Sequence, residues 1–119
     1  MRKLNLIALD EDPGPIAAHL GAAGWDVQVA TDLSAVRLQL RSPQAQALVC
    51  LLLMRQAPLN HLPDIEACVR QWRMAEWIGI CGPSAVQSAP LRDLVLNYLF
   101  DYHTLPVDLN RLTHTIGHA

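Results

Sequence analysis

The sequence predicts an α/β fold: a five-stranded parallel sheet in the order 2-1-3-4-5, with helices on both faces. Three observations carry this. Five short apolar runs alternate along the chain with segments of helical period. The middle run, from Ala47 to Leu53, is apolar at every residue, as a strand covered on both faces must be. Strands separated by helices are joined by crossovers, which makes the sheet parallel.

The elements follow in order. Leu4 to Leu9 reads as the first strand. Ile16, Leu20 and Ala23 recur at helical spacing after Pro13 and Pro15, and Gly24 ends that helix. Val27 and Val29 alternate with Asp26 and Gln28, a short strand with one wet face. Thr31 and Asp32 can cap a helix carrying Leu33, Val36 and Leu40. After the central strand, a loop with two prolines is expected between Met54 and Pro63, then a helix with Leu62, Ile65, Val69 and Trp72 on one face. Trp77 to Cys81 reads as a fourth strand stopped by Gly82-Pro83. A helix spans Pro90 to Leu99, and Phe100 to His103 is the fifth strand. Asp108 caps a last helix whose Leu109, Leu112 and Ile116 face inward.

Composition narrows the function classes. A chain of 119 residues fits one domain, 1–119, without repeat or linker. Its net charge is −2 with both signs dispersed, so no basic patch points to direct nucleic-acid binding by this domain. No apolar run approaches the roughly 18 residues of a membrane span, and the apolar start is too short for a secretion signal. The expected location is therefore cytoplasmic. Cys50, Cys68 and Cys81 are scattered, a pattern of reduced, buried thiols.

In such a sheet, ligands bind beyond the carboxyl ends of the strands. Those ends carry Asp10 and Glu11, then Leu52, Leu53 and Met54, then Cys81 and Gly82, then Thr104, Leu105 and Pro106. An acidic pair, a buried strand, Ile80-Cys81-Gly82 and then Asp101-Tyr102-His103-Thr104-Leu105-Pro106 together resemble a response-regulator receiver over the whole chain, with its flavodoxin-like, CheY-like fold. The resemblance implies a phosphorylation site that has lost its parts. Asp10 and Glu11 match the acidic pair that holds Mg²⁺ in receivers. Leu52 stands where the nucleophilic Asp belongs, Cys81 where a hydroxyl belongs, and Leu105 where a Lys belongs. Phosphoryl transfer needs an oxygen nucleophile and fixed positive charge, and leucines supply neither. Shifting the alignment by one residue gives Leu51 or Leu53 and restores nothing.

Within the receivers, the stretch Phe100 to Leu112 with Thr115-Ile116-Gly117-His118 resembles the N-terminal domain of VpsR-type activators, bacterial enhancer-binding proteins of the NtrC class. That resemblance implies a cytoplasmic, non-enzymatic regulatory module that forms a homodimer. It would need no cofactor and would control an attached AAA+ ATPase and DNA-binding domain in a longer protein.

Other residues carry competing readings. Asp10, Glu11 and Asp12 could bind a cation, but without a third carboxylate at Leu52 a solvated loop with Asp12 as helix cap is preferred. His114 and His118 have zinc-binding spacing without a third ligand, so no metal is expected. Cys81 reads as a small buried residue more readily than as a redox thiol. Arg37 and Arg41, one turn apart, could grip a phosphate, which keeps open a sensor for a nucleotide second messenger such as a cyclic dinucleotide. Leu96 and Leu99 lie off the apolar face of their helix, and mark a partner-contact surface or unusually complete burial.

Overall fold

Five β–α units succeed one another in the computed structural model: β1 (Lys3–Ile7), α1 (Gly14–Ala22), β2 (Asp26–Ala30), α2 (Leu33–Arg41), β3 (Val49–Met54), α3 (Leu62–Gln71), β4 (Glu76–Cys81), α4 (Ala89–Tyr98), β5 (Asp101–Thr104) and α5 (Leu109–His118). The structure describes residues 3–9, 11–41, 49–55, 60–72, 75–98, 101–104 and 108–118. All strand pairs are parallel, and the order is β2-β1-β3-β4-β5, as the alternation of strands and helices requires.

β3 lies at the centre, and all its residues are buried. Its side chains alternate between two cores. Leu51 and Leu53 face Ile16 and Leu20 of α1 and Leu112 and Ile116 of α5. Cys50, Leu52 and Met54 face Val36 of α2, Ile65 and Val69 of α3, and Leu91 and Leu94 of α4. Burying one leucine or isoleucine contributes about 1.5–3 kcal/mol, so the two layers supply most of the drive to fold.

Local signals set the element ends. α1 stops because Gly24 takes φ +96°, a left-handed conformation that costs glycine little. Its N–H reaches the Gly21 carbonyl at 3.1 Å, and the Trp25 N–H reaches that of Leu20 at 3.1 Å, the paired bonds of a Schellman ending. Asp32 Oδ1 accepts the Ala35 N–H at 2.8 Å and caps α2. Asp108 Oδ1 accepts the N–H groups of Asn110 (3.0 Å) and Arg111 (3.1 Å) and caps α5.

Three sequence expectations shift. Pro63 belongs to α3, not to the preceding loop: a first-turn proline withholds an N–H that has no intrahelical acceptor. β5 (Asp101–Thr104) ends one residue beyond the expected His103, with His103 buried and Tyr102 exposed, and the expected start at Phe100 lies outside the described residues. On β2, Val29 is exposed, because the strand forms the sheet edge, and Val27 is only half-buried.

Candidate functional site

The carboxyl ends of β1, β3 and β4 meet where the sequence places the receiver chemistry. Leu52 pairs with Ile7 on one side and Gly79 on the other, and Met54 pairs with Cys81 one pleat further on. Leu52, Met54 and Cys81 therefore share one face of the sheet. Leu52 is 2% exposed and lines a small apolar cavity with Ile7, Leu9, Leu33, Val36, Ile65, Cys68 and Trp77. Its surroundings are hydrocarbon, a thiol and an indole, with no carboxylate or cation among these lining residues.

Glu11 is the described member of the acidic pair; Asp10 lies outside the described residues, as does Leu105. The Arg55 backbone N–H donates to both carboxylate oxygens of Glu11, at 2.9 and 3.0 Å. The Arg55 Nε stands 3.5 Å from Glu11 Oε1. The first residue after β3 thus supplies Glu11 with a backbone donor and a fixed positive charge, so the protein brings its own cation to this carboxylate. The sequence reading missed Arg55: it lies 44 residues from Glu11, and only the sheet register brings them together.

The exit of β4 closes on the same point. The Gly82 N–H donates to the Met54 carbonyl at 2.8 Å. A Cβ on Gly82 would overlap the Arg55 carbonyl oxygen, so glycine is needed here for close backbone approach. Beside it, Cys81 is fully buried. Burial, and secondarily the Glu11 carboxylate, push its thiol up from 9.0 to about 11. A thiol so protonated is a poor nucleophile and a poor metal ligand, which agrees with the buried-residue reading.

Two buried polar residues were not singled out from the sequence. Asn5, within β1, is fully buried; its Nδ2 donates to Cys50 Sγ at 3.7 Å, and its Oδ1 has no partner among the described residues. Desolvation pushes Cys50 up to about 12 despite that bond. His103 Nε2 lies 3.0 Å from Thr115 Oγ1, whose hydroxyl donates to the Arg111 carbonyl at 3.1 Å. The contact ties β5 to α5, with the donor and acceptor set by the tautomer of the ring. Asn5 had no sequence signal except polarity inside an apolar run.

The remaining candidates separate. Asp12 Oδ1 accepts the Gly14 N–H at 2.9 Å and serves the start of α1. Arg37 pairs with Asp64 of α3 at 3.8 Å, while Arg41 is exposed. No group of three or more potential metal ligands occurs among the described residues. All three cysteines are free and buried. No described helix is long and apolar enough to cross a membrane. Leu96 stands 80% exposed on α4; Leu99 lies outside the described residues.

Comparison with known proteins agrees with this frame. A response-regulator receiver from Pseudomonas putida superposes at TM-score 0.72 with 22% identity, covering 100% of this chain and 98% of that one. A receiver domain from Clostridium thermocellum superposes at 0.71 with 19% identity, covering 99% and 93%. NtrX from Brucella abortus, solved in complex with ADP, superposes at 0.75 with 15% identity, covering 99% of this chain but 27% of its own. Identities this low establish the receiver fold alone. No curated protein sequence matches the chain. The model of the VpsR domain matches residues 2–117, nearly the full length, and the chain belongs to that family.

Proposed function

We propose that this domain is a regulatory module that works through protein contact and not through phosphoryl transfer. The observation that carries this reading is Leu52, sealed in an apolar layer at the position where receivers place their nucleophile. Glu11, the described acidic residue, is held by Arg55, so the positive charge at this corner belongs to the chain itself. Such a domain has a receiver's shape and surfaces without its covalent switch. In the full-length protein it would control the assembly or activity of an attached ATPase and DNA-binding apparatus.

The exposed α4 face supports the contact reading. Leu96 presents an isobutyl group to solvent next to exposed Arg92, a surface that gains by covering. Self-association through this face is testable by sedimentation equilibrium. The expected result is a concentration-dependent dimer weakened by Leu96→Glu. A wild-type chain that stays monomeric at high concentration removes self-association from the account. Calorimetry with cyclic dinucleotides tests the sensor alternative: saturable heat would favour it, whereas contact regulation expects none. Arg37 already engages Asp64, which leaves Arg41 alone on that helix to meet a phosphate.

A further inference from the structure

Between α3 and α4 runs an open groove of about 530 Å³, lined by Leu62, Pro63, Glu66, Pro90, Asp93, Leu94 and Asn97. Its floor is apolar, with Leu62 and Leu94, and its charged lining residues, Glu66 and Asp93, are both acidic. Neither acid pairs with a basic side chain among the described residues. Arg70 of α3 and Arg92 of α4 do not line the groove. Its chemistry fits an apolar knob flanked by positive charge.

The same chain carries such a knob. On α2, Leu38 is 74% exposed, with Arg37 and Arg41 exposed beside it. Positions 37, 38 and 41 project to one side of a helix. α2 flanks α3 on one side, tied by the Arg37–Asp64 pair, and the groove flanks α3 on the other. Between them, the outward face of α3 carries small, exposed Ala67 beside exposed Arg70 and Gln71. A two-fold axis lying over that face and parallel to α3 would lay each copy's α2 across the other's groove, the reciprocity a symmetric pair demands.

We propose that the α3–α4 groove receives α2 of a second copy, with Leu38 over Leu62 and Leu94 and Arg41 against Glu66 and Asp93. This rests on the self-association reading and names a contact separate from Leu96.

Charge reversal tests it by sedimentation equilibrium on the 119-residue chain. Arg41→Glu and Glu66→Arg, each alone, place like charges at both symmetric contacts and should weaken the dimer by about tenfold or more. Both positions lie on the helix surface, and unchanged circular dichroism and urea midpoints would confirm intact folds. Mixing the two variants should restore much of the lost affinity in a heterodimer, because position 41 then meets an opposite charge at position 66 in both contacts and only Asp93 of one groove still faces a like charge. Leu38→Glu gives a second, independent weakening. A dimer weakened by Leu96→Glu but indifferent to the charge reversals overturns the groove contact and leaves the α4 contact standing. Charge-reversed chains that weaken but fail to restore each other also overturn it. A monomeric wild type overturns both.

Discussion

Replacing Leu52 with aspartate would put a carboxyl at the position proposed for the receiver nucleophile, and the structure says what that costs. Leu52 is 2% exposed and bordered by Ile7, Leu9, Val36, Ile65 and Trp77. Losing the burial of its side chain removes about 2–3 kcal/mol. The carboxyl has the branching of leucine but a smaller volume, and no described neighbour in that lining carries a charge to compensate a carboxylate. Burying a carboxyl without a full set of hydrogen bonds adds about 1–3 kcal/mol. The sum, about 3–6 kcal/mol, is a large share of the roughly 5–15 kcal/mol that holds a domain of this kind. Burial raises the introduced carboxyl's pKa above its unfolded value, so its ionised form destabilises the fold. The penalty is present above the folded pKa and is relieved as pH falls through it. Urea unfolding of wild type and Leu52→Asp at neutral and mildly acid pH reads both effects. The midpoint should fall by about 1 M or more at neutral pH and recover in part in acid. Equal midpoints in both conditions would refute the burial of Leu52 and the register that places it at this strand end.

Further outcomes follow from other contacts. Gly82→Ala should destabilise by about 2 kcal/mol or more, read by thermal unfolding, because its methyl collides with the Arg55 carbonyl, a backbone atom that cannot step aside cheaply. Glu11→Ala should cost more than Arg55→Ala in the same assay. The first orphans the Arg55 N–H, whereas the second removes a half-exposed guanidinium worth under about 1 kcal/mol. Asn5→Leu should be neutral or stabilising in urea unfolding, since it deletes a buried amide whose oxygen has no partner. In alkali, stability should fall between pH 9 and about 12, because unfolded thiols ionise near 9.0 while Cys81 and Cys50 in the fold hold their protons to about 11 and about 12. Cys50→Ala should flatten that decline.

The order of the sheet was legible because it follows from connectivity: apolar runs separated by helices admit few parallel arrangements. Ile16, Leu20, Leu112 and Ile116 were legible as core because helical period alone selects them. Arg55 was not, since its role depends on β3 ending beside the β1–α1 turn, a register that no local pattern encodes. Gly82 was read as a strand stop, and the structure adds the reason a side chain is excluded there. Val29 looked like a core residue by alternation, but alternation cannot tell an edge strand from an inner one. The groove between α3 and α4 arises from two helices distant in sequence, so its acidic rim, Glu66 and Asp93, carries no linear signature.

Incubation with acetyl phosphate and Mg²⁺, read by intact mass, asks whether this strand end can take a phosphoryl group. No added phosphoryl group is expected, because Leu52 offers no oxygen and the Glu11 carboxylate is already held by Arg55. A stoichiometric, hydroxylamine-sensitive adduct would contradict that expectation, since an acyl phosphate requires a carboxylate nucleophile that this reading of the strand end denies.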